Sequence, residues 1–469
     1  MKVLVMGLGL HGGGLESAKY MLRRGAEVTV TDLRDENTLA PSLEKLNQVS
    51  SSIRYVLGRH EIQDFADADM VIKNPGVPRD SGYLQAARRI ETDLSLFLAA
   101  SPARLSAVTG TKGKSTVTQA VYWVLKNARG QANVFMGGNI TLSPLTFLDE
   151  LKAGDDVVLE LSSFQLGDLS GRQAAGRALL KPKVSVLTAI MKDHQDRYSN
   201  MDEYVADKRV IYQGQDESDW TVAADDEWGR SFHAQSRARP LVYSAAPLGS
   251  GIDGAWLNGP DSPGYARVSG GLFSDSAAGG IVEIVPARPK LPGMHQKQNL
   301  LAAGLALLGL GLEPEAVREG LGTFGGVEHR LEFFREAGGV RYYNDSAATI
   351  PEAAAAALAA LGKDAPVVLV TGGTDKNLDF SPLVKAAAGA KAIILLEGSG
   401  SEKLRSGFDA LGIKYMGPFN AIDKAVAAAA GAARSGDCVV LSPGCASFGM
   451  FLNEFDRGAK WKEAVGGGR

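Results

Sequence analysis

Residues 107–116 read Ala-Val-Thr-Gly-Thr-Lys-Gly-Lys-Ser-Thr, and the rest of the chain is organised around them. An apolar lead ends at Val108, and a helical pattern of apolar residues begins at Val117. The stretch therefore predicts a strand, a glycine-rich turn and a helix, whose N–H groups and positive dipole end cradle phosphates. Lys114 supplies a point charge for the β- and γ-phosphates, and the Ser115 hydroxyl is placed to hold Mg²⁺. The match to G-x-x-x-x-G-K-[ST] is incomplete, because Val108 stands where the first glycine should be.

Size and composition are those of an ordinary globular protein. The 469 residues are enough for two to four domains, with three as the middle value. A formal net charge of −3 gives no reason to expect nucleic acid or an anionic membrane as a partner. The two cysteines, Cys438 and Cys445, argue against a disulfide framework. The longest apolar run, residues 300–312, is too short to span a bilayer. We therefore expect a cytoplasmic monomer that binds small molecules.

A second glycine motif lies at the N-terminus. Residues 2–6 have a strand pattern, Gly7-Leu8-Gly9-Leu10-His11-Gly12 follows, and a second strand pattern ends at Asp32. This βαβ unit, with G-x-G-x-x-G and a later acidic residue, is typical of NAD-dependent dehydrogenases. Taken alone the motif is weak evidence, because the same unit also binds other nucleotides. Residues 1–98 are predicted to form one Rossmann-like domain.

Polar side chains follow buried strands in the predicted central domain, residues 99–330. Glu160 and His194 each come after such a strand, on the same chain as the phosphate loop. Carboxyl ends of parallel strands are where α/β sheets bind ligands, so these residues predict a metal–nucleotide site. Considered alone, His194 is more simply a hydrogen-bonding loop residue. Lys208, within a helical pattern at residues 201–212, is considered alone a solvated lysine.

Two further regions complete the fold prediction. Residues 214–290 are rich in Gly, Ser and Asp and are interpreted as strands and loops that elaborate the central domain. Residues 331–469 alternate short strands with helices, which predicts a doubly wound domain. Arg330 and Asp345, near this junction, form either an interdomain salt bridge or a nucleotide contact. The predicted fold class is α/β with three domains: a Rossmann-like N-terminal domain, a central P-loop-type ATP-binding domain with a mixed or parallel sheet, and a Rossmann-like C-terminal domain.

Several motifs occur in a fixed order along the chain. They are T-G-T-K-G-K-S-T (109–116), G-G-N-I (137–140), E-L-S-S-F-Q-L (160–166), D-H-Q-D-R-Y (193–198), the helix of Lys208, G-V-E-H-R-L-E (326–332), N-D-S-A-A-T (344–349) and L-S-P-G-C-A-S (441–447). In combination they resemble the Mur ligase family, closest to its D-glutamate-adding branch. The resemblance spans nearly the whole chain, except much of residues 214–290.

The resemblance implies an ATP-dependent amide ligase of peptidoglycan precursor synthesis. Such an enzyme adds D-glutamate to UDP-N-acetylmuramoyl-L-alanine through an acyl phosphate. It implies two Mg²⁺ ions, one held by Ser115 and the phosphates and the other by Glu160 and His194. Lys208 would be carbamylated and support the second ion. Lys114, Glu160, His194 and Lys208 are thus the catalytic candidates.

The resemblance also assigns the binding residues, and it turns the presumed NAD site into a UDP site. The ATP contacts are Gly110, Thr111, Lys112, Gly113, Lys114, Ser115, Thr116, Asn299, Arg330 and Asp345, with Gln296 in place of the usual Asn of the adenine-binding pair. The nucleotide-sugar contacts are Leu10, His11, Asp32, Leu33, Arg34, Gly76, Asn139, Ser162 and Gln165. The glutamate contacts are Lys376, Ser447 and the backbone near Phe455.

One position departs from the family pattern. The D-glutamate branch usually has D-S-K-A-T where this chain has Asp345-Ser346-Ala347-Ala348-Thr349. The missing lysine normally helps to hold the carboxylate of the incoming glutamate, and Ala347 cannot do so. Either Lys376 and another cation compensate, or the amino acid is a different one such as L-glutamate. We expect D-glutamate.

Overall fold

Three large β-sheets follow one another along the chain in the computed structural model, which describes residues 1–10, 12–140, 142–193, 197–269, 280–291, 293–376 and 378–466. These residues form two compact units. The first contains Met1–Ala287 and Gln298–Leu321, and the second contains Arg288–Lys297 and Gly322–Arg469. The α/β fold class with three sheets is confirmed, whereas the domain boundaries at residues 98 and 330 stay a prediction.

The first sheet is entirely parallel, with the strand order β3-β2-β1-β4-β5. Its elements are β1 (Lys2–Met6), α1 (Gly13–Arg23), β2 (Glu27–Asp32), α2 (Glu36–Asn47), β3 (Arg54–Leu57), α3 (Ile62–Asp67), β4 (Met70–Lys73), β5 (Ile90–Glu91) and α4 (Asp93–Ala100). The close packing of α1 on the glycine turn requires Gly14, because a Cβ atom there would lie 2.1 Å from the carbonyl oxygen of Gly7. The predicted Rossmann-like βαβ unit is therefore present.

The second sheet has nine strands in the order β16-β15-β14-β13-β12-β11-β6-β8-β7. Its region contains β6 (Arg104–Thr109), α5 (Lys114–Arg129), β7 (Val134–Gly138), β8 (Asp156–Glu160), α6 (Ser163–Leu169), the small antiparallel ribbon of β9 (Gln173–Ala174) and β10 (Arg177–Ala178), β11 (Val184–Leu187), α7 (Met201–Gln213), β12 (Trp220–Ala224), α8 (Glu227–Gln235), β13 (Arg239–Ser244), β14 (Gly254–Leu257), β15 (Gly264–Arg267), β16 (Val282–Val285), α9 (Met294–Gly309) and α10 (Pro314–Thr323). Only the β14–β15 and β15–β16 pairs of this sheet are antiparallel within the described residues.

The interpretation of residues 214–290 as strands and loops was incomplete. The five strands β12 to β16 extend the central sheet, but α8 is a helix of nine residues that the sequence analysis did not predict. Asp226 begins this helix, since its carboxylate accepts a hydrogen bond from the backbone N–H of Gly229 at 2.7 Å. Phe232 is buried on one face of α8. The many polar residues of α8 hid this short amphipathic helix.

The third sheet has the order β17-β18-β22-β19-β20-β21, and only its β17–β18 pair is antiparallel among the described strands. Its elements are β17 (Glu332–Ala337), β18 (Val340–Asn344), α11 (Pro351–Leu361), β19 (Val367–Thr371), α12 (Ser381–Ala387), β20 (Ala392–Leu396), α13 (Ser399–Ala410), β21 (Met416–Phe419), α14 (Ile422–Ala432), β22 (Cys438–Leu441) and α15 (Glu454–Ala464). Helices alternate with the parallel strands, as in a doubly wound domain. Among all described helices, none has the length and apolar character needed to cross a bilayer.

The first two sheets share one hydrophobic core. Phe97 of α4 packs edge to face on Phe147, with 5.9 Å between the ring centroids. Beside this core, the ammonium of Lys73 lies 2.8 Å from a carboxylate oxygen of Asp168 on α6, and both side chains are only 3% exposed. Removing one partner of such a buried pair leaves an uncompensated charge. The ion pair therefore ties the first sheet to the second.

Replacing Lys73 by Met should lower the free energy of unfolding by about 3 kcal/mol, because the Asp168 carboxylate stays buried without its cation. The double variant Lys73→Met/Asp168→Leu should recover most of the loss. Urea denaturation followed by fluorescence measures both. Lys45→Met, at an exposed lysine of the same sheet region, is the matched control and should change little. Equal stability of Lys73→Met and the unmodified chain would contradict this role.

Candidate active site

Four neighbouring parallel strands of the central sheet end at one edge. Val108 of β6 pairs with Glu160 of β8, Gly138 of β7 pairs with the same Glu160, and Thr109 of β6 pairs with Leu187 of β11. The loops that follow these strands therefore meet at the carboxyl edge of the sheet, where α/β sheets bind ligands. This register brings the phosphate loop, the turn at Asn139 and the Glu160 side chain together, as predicted.

The phosphate loop joins β6 to α5, a helix of 16 residues. Gly113 caps this helix with φ of 96°, a conformation that favours glycine. A Cβ atom at Gly113 would lie 2.4 Å from Oδ1 of Asn299. The predicted ATP contact Asn299 thus sits against the loop. Lys114, Ser115 and Thr116 form the first helical turn, where backbone N–H groups are available to an anion.

Thr111 braces the loop against the segment after β11. Its hydroxyl oxygen lies 3.0 Å from the phenol oxygen of Tyr204 and accepts a hydrogen bond from the N–H of Met191 at 3.0 Å. Its own N–H donates to the carbonyl of Ala189 at 2.8 Å, beside the exposed Lys112. The side chain of Thr111 is therefore a structural tie of the loop. The sequence analysis did not single out Tyr204, a buried aromatic residue four positions before Lys208.

Two lysines meet at one carbonyl oxygen. The ammonium of Lys208 on α7 donates to Gly110 O at 2.9 Å, and that of Lys114 donates to the same oxygen at 3.0 Å. Lys208 is 1% exposed, so its interpretation as a solvated lysine was wrong. Burial, and secondly the charge of Lys114, lower the pKa of Lys208 to about 7. The helical pattern could not reveal this burial, because α7 is covered on the face that carries Lys208.

Glu160 presents a carboxylate oxygen toward this edge. The side chain is 2% exposed, and its Oε1 accepts a hydrogen bond from the Asn139 amide at 3.0 Å. Its Oε2 is buried and has no hydrogen-bond partner among the described residues. A buried unpaired carboxylate oxygen is costly, and it fits a divalent cation that prefers oxygen ligands. His194, the other predicted ligand, lies outside the described residues.

A cavity of about 250 Å³ lies between the first and second sheets. It is lined by four of the residues predicted to contact the nucleotide-sugar, namely Gly76, Asn139, Ser162 and Gln165. Ser162 and Gln165 also cap α6 reciprocally, since each side chain accepts from the other residue's backbone N–H at 3.2 Å and 3.0 Å. The cap fixes both side chains at the cavity wall.

The predicted uridine contacts lie at the carboxyl edge of the first sheet. Leu10 and Leu33 expose 40% and 66% of their surface beside the glycine turn. Asp32 is buried, and its carboxylate accepts from the N–H of Gly9 at 3.2 Å and the N–H of Arg34 at 3.0 Å. Asp32 thus positions the glycine turn and Arg34. His11 lies outside the described residues.

Within the second unit, Arg330 is exposed on a strained turn. The residues on either side of it, His329 and Leu331, have φ of 62° and 47°, which non-glycine residues rarely adopt. Asp345 holds this turn, because its Oδ1 accepts from the N–H of Leu331 at 2.9 Å and its Oδ2 accepts from the Ser442 hydroxyl at 2.6 Å. Burial raises the pKa of Asp345 to about 7, opposed by hydrogen bonds and by the charge of Arg330.

A buried arginine organises the loops that carry the predicted glutamate contacts. The Arg457 guanidinium is fully buried and donates to the Ser346 hydroxyl at 2.9 Å, the Ser346 carbonyl at 2.8 Å and the Cys445 carbonyl at 3.1 Å. Burial lowers the pKa of Arg457 to about 10. Sequence reasoning missed this residue, because nothing in its helical pattern distinguishes it from a solvated arginine.

The predicted glutamate contacts surround these loops. Thr374 pairs with Ala446 through two backbone hydrogen bonds of 3.0 Å and 2.9 Å, which joins the loop of Lys376 to that of Ser447. Ser447 is buried, Lys376 is exposed and Phe455 is 43% exposed. The loops that follow β18, β19 and β22 therefore form one surface of the second unit.

Three family models match the chain in succession. They are described as the N-terminal domain of MurD-like Mur ligases (residues 1–94), the Mur ligase middle domain (residues 108–307) and the Mur ligase glutamate ligase domain (residues 329–445). A relative from Treponema pallidum is 38% identical and covers 99% of this chain and 97% of its own length. A relative from Roseiflexus is 39% identical and covers 99% of this chain and 98% of its own length. Both are named UDP-N-acetylmuramoylalanine–D-glutamate ligase.

The chain belongs to the Mur ligase family. Solved Mur ligases share its fold at low identity. The alanine ligase MurC of Thermotoga maritima has a TM-score of 0.53 at 20% identity, covering 95% of this chain and 96% of its own. The MurF ligase of Thermotoga maritima in complex with ADP has a TM-score of 0.52 at 18% identity, covering 98% of this chain and 93% of its own.

Family membership removes the dehydrogenase alternative. The N-terminal glycine motif, Gly7 to Gly12, lies inside the region that matches a Mur ligase N-terminal domain. The same βαβ unit that predicted NAD binding is thus a Mur ligase element in this chain. The glycine pattern misled because it reports only how the turn is built and not which nucleotide binds there.

Replacing Gly113 by Ala in this Mur ligase should weaken nucleotide binding by about tenfold or more, because the new methyl group displaces Asn299 and shifts the loop. Titration calorimetry with ADP measures the change. Gly130→Ala is the matched control, because Gly130 also has positive φ at 90° but a Cβ atom there meets nothing within 4 Å. Both variants share the backbone strain, so equal ADP affinity in the two would contradict the steric argument.

Proposed function

We propose that this chain joins D-glutamate to UDP-N-acetylmuramoyl-L-alanine with hydrolysis of ATP to ADP and phosphate. The convergence of Lys114 and Lys208 on Gly110 O, at the sheet edge that also carries Glu160, is the observation that carries the proposal. The Lys114 ammonium at the start of a helix supplies positive charge for phosphoryl transfer, and Lys208 lies buried beside it. The names of the relatives supply the substrates. Two free, buried thiols, Cys438 and Cys445, are in keeping with a reducing cytoplasm.

The first step is phosphoryl transfer to the alanine carboxylate. A carboxylate oxygen attacks the γ-phosphorus of ATP, the bond to the bridging oxygen breaks, and ADP leaves as the acyl phosphate forms. Lys114 and the N–H groups of the first turn of α5 neutralise the charge on the phosphate oxygens. Asn299 sits against the loop and Asp345 orders the turn of Arg330, which supports a role of these residues in holding ATP.

The second step forms the amide bond. The amine nitrogen of glutamate attacks the acyl carbonyl, a tetrahedral intermediate forms, and phosphate leaves as the nitrogen loses a proton. Lys376, Ser447 and the backbone near Phe455 would bind the glutamate, on the surface that Arg457 organises. Holding amine and acyl phosphate at contact distance supplies most of the acceleration.

Two magnesium ions at the central site are part of this proposal. Ser115 at the phosphate loop would hold one ion with the phosphates, and Glu160, whose Oε2 has no described hydrogen-bond partner, would hold the other together with His194. Mg²⁺ bound there supplies charge neutralisation for the transferring phosphoryl group.

Lys208 fits a carbamylated lysine. Its neutral nitrogen would attack the carbon of CO₂, one C=O π bond would open onto its oxygen as the N–C bond forms, and a proton would leave the nitrogen for solvent, so that a lysine cation becomes a carbamate anion. Burial favours the neutral amine that this reaction needs, because it lowers the pKa of Lys208 to about 7. The carbamate would place a negative charge near the second Mg²⁺ and beside the Lys114 ammonium, so that the repulsion between two lysine cations would become an attraction.

Lys208→Ala should reduce ligase activity by about 100-fold, since it removes the group that supports the metal. Acetate or formate should restore part of the activity, because a small carboxylate can occupy the vacated space. Phosphate release measures both. Lys126→Ala, at a lysine on the far turns of α5, should retain full activity and show no response to acetate. Unchanged activity of Lys208→Ala, or a loss that no carboxylate restores, counts against carbamylation.

The identity of the amino acid is tested by phosphate release from ATP with UDP-N-acetylmuramoyl-L-alanine and either D- or L-glutamate. We expect release with D-glutamate only, because relatives that are 38% and 39% identical over 99% of this chain are both named D-glutamate ligases. Activity with L-glutamate alone would move the chain to a sister specificity, as the missing lysine at Ala347 allows. No release with either isomer would overturn the proposed function.

A further inference from the structure

The loop that follows β4 lines the proposed nucleotide-sugar cavity. Residues 74–80 run from Asn74 to Asp80, and Asn74 and Gly76 both contribute to the wall of the 250 Å³ cavity. The loop turns sharply, because the Asn74 carboxamide oxygen accepts a hydrogen bond from the N–H of Gly76 at 3.0 Å. Gly76 is exposed, so its position depends on what holds the loop from behind.

Arg79 connects this loop to two helices of the central region. Its Nη1 donates to the carbonyl of Gly167 on α6 at 2.9 Å, and its Nη2 donates to Oδ2 of Asp207 on α7 at 2.7 Å. The Asp207 side chain is 10% exposed, and the same oxygen accepts from the phenol of Tyr198 at 2.8 Å. The Arg79 side chain itself is 49% exposed, but its charge-assisted bond to a nearly buried carboxylate holds more firmly than a pair of two fully exposed side chains.

Arg197, which belongs to the central region, also forms a hydrogen bond to the loop of residues 74–80. Its Nη2 donates to the carbonyl of Gly76 at 2.7 Å, and its guanidinium lies 4.7 Å from the ring centroid of Phe164. Phe164 stacks on Tyr198, whose phenol donates a hydrogen bond to the Asp207 carboxylate. The loop is thus held by one arginine from each side, around a second cavity of about 450 Å³.

The contacts of Arg79 reach the residue that precedes Lys208 on α7. Asp207 immediately precedes Lys208 on α7, and α6 begins at the cap residues Ser162 and Gln165, which line the nucleotide-sugar cavity. Through one guanidinium, the loop of residues 74–80 therefore contacts both the helix that begins at the cavity wall and the helix that carries Lys208. No motif in the sequence analysis included this residue.

We propose that Arg79 is a positioning residue that holds the nucleotide-sugar loop, residues 74–80, in register with α7 and thereby with Lys208. The proposal rests on the proposed function, because it assumes that this cavity takes the nucleotide-sugar. Loss of the guanidinium leaves the loop with only the Arg197–Gly76 hydrogen bond of the two arginine contacts, and leaves Asp207 with Tyr198 as its side-chain hydrogen-bond partner among the described residues. The loss should weaken nucleotide-sugar binding selectively, because Arg79 touches neither the phosphate loop nor the second unit's loops in the described contacts.

The test compares Arg79→Gln, Asp207→Asn and their double variant by titration calorimetry with UDP-N-acetylmuramoyl-L-alanine and, separately, with ADP. Arg79→Gln should raise the Kd for the nucleotide-sugar about tenfold and leave the Kd for ADP within twofold. The double variant should be no weaker than the worse single variant, since both remove one interaction. Arg79→Lys should recover part of the affinity, because it keeps the positive charge beside Asp207. The recovery should be incomplete, because one ammonium cannot reach both acceptors as a guanidinium fork does.

Arg59→Gln is the matched control. Arg59 pairs with Glu61 within the first sheet region, and its side chain is 70% exposed. The Arg59→Gln variant should bind the nucleotide-sugar and ADP with the same Kd values as the unmodified chain. If the unmodified chain binds the nucleotide-sugar and Arg79→Gln binds it with the same Kd, the role of Arg79 is overturned and the proposed function is not. Equal weakening of nucleotide-sugar and ADP binding would overturn it as well, as general damage to the fold. Unmodified chain that does not bind the nucleotide-sugar would overturn the proposed function itself.

Discussion

The carbonyl oxygen of Gly110 accepts hydrogen bonds from two lysines, and the geometry of the active site depends on this meeting point. Lys114 reaches it from the first turn of α5, and Lys208 reaches it from α7. Two like charges at one acceptor repel, and burial adds to the cost of keeping Lys208 protonated. The function proposed above would relieve this repulsion, with phosphate oxygens at Lys114 and a carbamate at Lys208.

The second constraint is the common core of the first two sheets. Phe97 and Phe147 pack at its centre, and the Lys73–Asp168 pair lies buried beside them. A nucleotide-sugar that spans both sheets needs them at a fixed distance, because misplacing its carboxylate by about 1 Å would cost most of the advantage of proximity. Core packing and buried charges together hold the two sheets as one unit.

The loops of the second unit are ordered by polar groups that water does not reach. Arg457 donates to Ser346 and to the Cys445 carbonyl, and Asp345 holds the turn before β17. Such buried networks fix loop conformation because every group left unpaired would be costly. They order the loops around Ala347 without the lysine that the family usually has there.

The sequence by itself determined the elements and the site candidates that depend on local patterns. The phosphate loop, the strand that ends at Glu160 and the three α/β sheets follow from glycine spacing and from apolar periodicity, which act over a few residues. The ordered motifs added the family, and with it the interpretation of the N-terminal glycine motif. Local patterns failed for α8, where polar residues hid a short helix.

Only the tertiary structure decided which polar side chains are buried and what they touch. Lys208, Arg457 and Arg79 look alike in sequence, as basic residues on helices or loops. One lies against a carbonyl of the phosphate loop, one joins two loops of the second unit, and one links a substrate loop to α7. These contacts join residues up to 128 positions apart, as Arg79 and Asp207 are. Burial and partner choice at such separations arise from the packing of whole elements, which no local pattern encodes.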